Sequence, residues 1–71
     1  MEMSEAVQFV RDERQKQELK LEDIERVSYI ANGTISRIET GMTPEPRFST
    51  LQAIMEALGY KLELKITKIE N

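Results

Sequence analysis

The chain has 71 residues, with 10 Lys and Arg against 13 Asp and Glu, and neither His nor Cys. That length fits one small domain and not two, and the composition excludes disulfides and any Cys or His metal site. With 32% charged and 39% hydrophobic residues, the chain reads as a globular domain rather than a disordered one.

No apolar run approaches the ~20 residues needed to cross a membrane. The N-terminal "MEMSEAVQFV" is acidic and lacks the basic-then-apolar order of a signal peptide, so the expected compartment is the cytoplasm. A net charge of -3 argues mildly against nucleic acid, but the placement of charges matters more than their sum. A domain this small buries a modest fraction of its surface, and oligomerisation is the expected extra source of stability.

In chain order, Ser4 is positioned to cap a first helix running to about Gln17. Ala6, Val7, Phe9 and Val10 supply its apolar positions. Arg14 lies four residues after Val10 and continues the inward stripe. An inward Arg needs a carboxylate partner.

"LKLEDIERV" reads as a short second helix with Leu21, Ile24, Val27 and Ser28 on one face. Glu22 and Asp23 fall in its first turn, where they suit the positive end of the helix dipole. "SYIA" breaks the chain for about four residues. Asn32 to about Thr40 forms a third helix, with Ile35 and Ile38 facing inward and Gly41 closing it. "MTPEPRF" is a loop marked by Pro44 and Pro46. Ser49 to Leu58 is a fourth helix with Leu51, Ile54, Met55 and Leu58 as its apolar face. Ser49 and Gln52 fit a capping box there, and Gly59 ends it.

The tail changes period. From Tyr60 to Ile66 apolar and polar residues alternate: Tyr60, Leu62, Leu64 and Ile66 on one face, Lys61, Glu63, Lys65 and Thr67 on the other. This predicts a half-buried strand. A lone strand leaves backbone groups unpaired. The expected partner is the same strand of a second copy, paired about a two-fold axis.

Two short helices joined by about four residues, the second opening with small polar residues and ending at Gly, describe a helix-turn-helix over about residues 21–40. On a helical wheel Asn32, Gly33, Ser36, Arg37 and Thr40 share the side opposite Ile35 and Ile38. Such a helix can enter a major groove, where Asn pairs with adenine and Arg with guanine. Gly33 would let the backbone approach closely. Thr40, Thr43 and Arg47 are candidate phosphate contacts beside the helix end.

From about Val7 to Gly59 the sequence resembles the Xre/Cro-CI type of DNA-binding domain, most specifically in "TISRIETG", Thr34 to Gly41. The resemblance implies a mainly α, four-to-five-helix Cro/CI-like (lambda-repressor-like) bundle over residues 1–59. Residues 60–71 would be a C-terminal strand that pairs across a dimer. It also implies an ion pair between Arg14 and Glu39, which would answer the inward Arg. Lys20 and Leu21 stand where the family usually has Ser or Thr followed by Gln, leaving Lys20 and backbone N–H groups for a phosphate. Ser28-Tyr29 replaces the family's usual Leu-Gly, which would turn the Tyr29 hydroxyl outward. Ala31 stands in place of a capping Ser or Thr, so Asn32 would cap instead.

A strand after "ALG" resembles the HipB-type antitoxin branch, which binds operator DNA as a dimer and often represses its own operon with a toxin partner. The expected function is sequence-specific transcriptional regulation by a dimeric repressor on a palindromic operator. The alternative is a toxin-neutralising interaction module for which DNA binding is secondary. No acidic residue sits in an apolar context suited to catalysis apart from Glu39, which already has a partner. No cofactor is expected.

Overall fold

A computed structural model of the chain describes residues 2–70. Its four helices are α1 (Met3–Lys16), α2 (Leu21–Ser28), α3 (Asn32–Glu39) and α4 (Phe48–Ala57). α2 packs against α3 and α4, and α1 packs against α3.

The core follows from the apolar periods. Ala6 and Val10 come from α1, Ile24 from α2, and Ile35 and Ile38 from α3. Leu51, Ile54, Met55 and Leu58 come from α4 and its C-terminal turn. Fully burying an aliphatic side chain of this size stabilises the fold by about 1.5–3 kcal/mol before entropy is counted. Val7, Phe9, Leu19, Leu21 and Ile30 pack around this centre. Val27 was expected on the inward face of α2 but is 60% exposed. It lies 60° around the wheel from Ile24, at the edge of the inward face, and in the last turn of an eight-residue helix.

Several expected helix starts shift by a residue or two. α1 begins at Met3 behind an extended Glu2, whose carbonyl accepts the Ala6 N–H. Ser4 therefore lies inside the first turn and caps nothing. α3 begins at Asn32 behind Ala31, with no side-chain cap. α4 begins at Phe48 behind Arg47, so Ser49 and Gln52 form no capping box. Gln52 instead donates to the Leu62 carbonyl, at 3.2 Å. Gly41 and Gly59 take φ of 83° and 93° directly after α3 and α4, the left-handed closure for which glycine is suited.

The expected strand is absent: among the described residues, 60–70 form no strand. Alternation specifies which face is apolar, but a strand also needs a ladder partner, and no strand forms anywhere among the described residues. The tail is held by other means as far as Leu62. The Tyr60 N–H donates to the Met55 carbonyl at 2.8 Å. Its ring meets Phe9 edge-on at 4.9 Å, and its hydroxyl donates to Glu13 Oε1 at 3.0 Å. Leu62 packs on the core. Beyond it, Leu64, Ile66 and Ile69 are 73%, 90% and 83% exposed.

Candidate nucleic-acid interface

α3 presents two chemically distinct faces. Ile35 and Ile38 have no exposed surface. Asn32, Arg37 and Thr40 are exposed, and Gly33, Thr34 and Ser36 are half-buried. The burial of two β-branched residues three apart fixes the rotation of an eight-residue helix and so fixes what faces out.

Arg14 and Glu39 secure the same helix at its C-terminal end. Arg14 Nε donates to Glu39 Oε2 at 2.7 Å, and Nη2 donates to Oε1 at 2.8 Å. Nη1 donates to the Leu19 carbonyl at 2.8 Å. One guanidinium therefore joins α1, the α1–α2 connection and α3. The Glu39 carboxylate holds Arg14 above its ordinary pKa, against the opposing effect of burial.

The turn into α3 is built without glycine. Tyr29 adopts φ 62°, ψ 17°, and its side chain is 91% exposed. Left-handed backbone in a residue with a Cβ costs about 1–2 kcal/mol. The Ser28 hydroxyl accepts the Ile30 N–H at 3.1 Å and so supports the turn.

Several of the expected contact residues are engaged locally. Asn32 Nδ2 donates to Glu25 Oε1 of α2, at 3.0 Å, rather than capping α3. Arg37 lies back along the helix. Its Nη2 donates to Thr34 Oγ1 at 3.3 Å, and its Nη1 would stand 3.5 Å from a Cβ added at Gly33. The Thr40 hydroxyl donates to the Ser36 carbonyl at 2.9 Å, so its proton is in use and it must rotate to donate elsewhere. The Thr43 N–H donates to the Arg37 carbonyl at 3.0 Å, which ties the loop after α3 to the helix. The Lys20 N–H is taken by Asp23 Oδ2 at 2.8 Å, leaving its ammonium rather than that N–H for an anion. Arg47 is exposed ahead of α4 and makes no ion pair among the described residues.

Sequence reasoning missed the Glu25–Asn32 bond and the Gln52 tie to the tail. Both join residues on different elements, where helical spacing gives no signal.

An eight-residue helix, a short turn and a second eight-residue helix with a polar outer face carry the geometry of a helix-turn-helix. The helix-turn-helix family model matches residues 10–65. The chain belongs to the Xre/Cro-CI-type helix-turn-helix family. The match covers α2, α3 and α4 entire and starts at the core residue Val10 of α1. In general terms, membership supports a DNA-binding regulator. No curated protein and no solved structure is similar enough to this helix-turn-helix chain to match it. Among the described residues, no helix is long and apolar enough to cross a membrane.

Proposed function

We propose that this protein is a sequence-specific repressor that binds a palindromic operator as a dimer. The observation that carries the reading is the division of α3 between a fully buried Ile35–Ile38 face and an outer face of Asn32, Ser36, Arg37 and Thr40. α3 enters the major groove. Arg37, Asn32 and Ser36 read base edges, with Gly33 letting the helix approach closely. Thr40, Thr43, Arg47 and Lys20 contact phosphates and set the register.

The dimer forms through the tail. Leu64 and Ile66 are exposed apolar residues of like parity, as is Ile69 of the opposite parity, in a segment that pairs with no strand among the described residues. A second copy supplies both a ladder and an apolar cover. Half-sites then lie about one helical turn apart, roughly 34 Å.

The test is a fluorescence-anisotropy titration at several salt concentrations. It compares the duplex immediately upstream of the protein's own reading frame with a shuffled duplex. Preference for the upstream duplex, with affinity falling steeply as salt rises, is the expected result. Equal, weak and salt-insensitive binding to both would overturn autoregulation through this operator.

One observation favours a second reading. Arg37 is the single basic residue of α3, and the net charge is -3, which suits a body that mainly binds a protein such as a toxin. Salt-insensitive titrations would turn attention to that partner.

A further inference from the structure

The bond from Asn32 to Glu25 has a consequence for how a base is read. It is the one side-chain hydrogen bond between α2 and α3 among the described residues. Asn32 is exposed at the first position of α3, and Glu25 is half-buried in α2. A terminal amide has two ends of nearly equal shape and opposite hydrogen-bonding sense. A carboxylate only accepts, so it binds the Nδ2 end and turns Oδ1 away.

Resting on the DNA-binding reading above, we infer that Glu25 is a positioning residue that fixes the amide orientation of Asn32 and thereby sharpens its choice of base. Adenine offers an N6 donor beside an N7 acceptor in the major groove. With one Nδ2 hydrogen on Glu25, Oδ1 accepts from N6 and the second Nδ2 hydrogen donates to N7. An untethered amide samples both orientations, and the flipped one sets donor against donor. The carboxylate removes the flipped state before DNA arrives.

The charge acts in the same direction. A carboxylate beside the leading end of α3 is repelled by every phosphate, whatever the sequence. It weakens non-specific binding while the bond it makes improves the correct contact. Specificity is the difference between the two affinities, so both effects widen it.

The two contributions separate by substitution. Glu25→Gln keeps the length, removes the charge, and offers the amide either orientation. Glu25→Asp keeps the charge but falls one methylene short of Asn32. The experiment selects duplexes from a random pool with the full-length parent, E25Q, E25D and N32A. Competition titrations against a random duplex follow, with each variant shown to be folded by circular dichroism.

N32A should relax preference at one base pair of each half-site. E25Q and E25D should weaken preference at that same base pair by about 3–10-fold. E25Q alone should bind the random duplex about 2–5-fold more tightly at low salt. A merely structural link would lower thermal stability and leave base preference intact. The inference is overturned if E25Q and E25D both match the parent at the base pair that N32A relaxes, or if N32A relaxes none. A parent that enriches no sequence would remove the DNA-binding reading itself, an outcome distinct from either.

Discussion

Arg14 of α1 grips Glu39 of α3 through two hydrogen bonds of 2.7 and 2.8 Å, with only 7% of the Glu39 side chain exposed. The pair sits at the end of the helix whose outer face carries the candidate contacts, so its integrity sets the tilt of that face. Glu39→Gln leaves Arg14 charged and poorly compensated. The expected loss is about 2–4 kcal/mol of unfolding free energy. Arg14→Met combined with Glu39→Leu removes both charges and should cost less than the two single changes summed, by roughly 1 kcal/mol or more. Urea unfolding followed by circular dichroism measures both. Strict additivity would show that the pair acts as two independent surface charges.

Tyr29 holds φ 62° while its side chain reaches solvent. The bonds that support this turn are made by backbone groups and Ser28, not by the Tyr29 side chain, so glycine can keep them. Tyr29→Gly should therefore stabilise the domain by about 0.5–1 kcal/mol, the relief of left-handed strain less the added entropy of the unfolded glycine. In a domain of this size that is a rise in Tm of several degrees. A fall in Tm would mean that the ring makes a contact worth more than the strain.

The helical body was legible because its signals are local. Ile35 and Ile38, and the set Leu51, Ile54, Met55 and Leu58, were placed inward by spacing alone, and all are buried. The fold family was legible from "TISRIETG" and its flanks. The tail was misread for a physical reason. Alternation placed Leu62 on the core but says nothing about a ladder partner, and residues 63–70 need one to become a strand. The capping assignments failed because Ser4, Asn32 and Ser49 lie within one or two residues of the true starts, inside the range over which helix ends shift. The Arg37–Thr34 and Thr40–Ser36 bonds follow helical spacing, whereas the Asn32–Glu25 bond arises from the α2–α3 crossing and from no sequence period.

Gly33 separates stability from recognition. It is a helical residue whose φ is not positive, so its backbone does not require glycine. An added Cβ would meet only Arg37 Nη1, at an ordinary 3.5 Å. Gly33→Ala should raise stability by about 0.5–1 kcal/mol through helix propensity. If α3 brings its backbone close to the groove wall, the same change should weaken operator binding several-fold. Arg37→Ala should cost roughly 1–3 kcal/mol of operator affinity and relax preference at its base pair. Stabilisation without loss of binding in Gly33→Ala would place the point of closest approach elsewhere on the helix.

The contact between Tyr60 and Glu13 predicts a pH window for the tail's first attachment. Glu13 lies below the ordinary carboxylate pKa because Gln17 and Tyr60 donate to it. Tyr60 lies above the ordinary phenol pKa because its proton is held by Glu13. A lowered carboxylate contributes stability above its unfolded pKa and loses it as pH falls through the folded value. A raised phenol contributes stability below its unfolded pKa and loses it as pH rises through the folded value. The bond should therefore act between roughly pH 4 and pH 10. Tyr60→Phe keeps the edge-on contact with Phe9 and deletes the hydrogen bond. The gap in urea midpoint between parent and Tyr60→Phe should be widest near neutral pH and shrink at both ends. A gap independent of pH would assign the effect of Tyr60 to packing alone.

Removing residues 63–71 tests the dimer while leaving all four helices in place. Leu62 keeps its place on the core, and the Gln52 bond to the Leu62 carbonyl keeps its acceptor. Helix content and the core should survive, because every buried apolar residue precedes the cut. Leu64, Ile66 and Ile69 are lost with the backbone between them, and with them the surface proposed to pair. Sedimentation velocity should show the full chain as a dimer and the shortened chain as a monomer. Operator affinity should then fall far more than affinity for a single half-site, since the monomer forfeits the effective concentration that linkage provides. A shortened chain that still sediments as a dimer would move the interface from the tail to the helical body. The groove lined by Met3, Ala6, Phe48 and Leu51, which Leu62 to Lys65 border in the full chain, would then be the first surface to mutate.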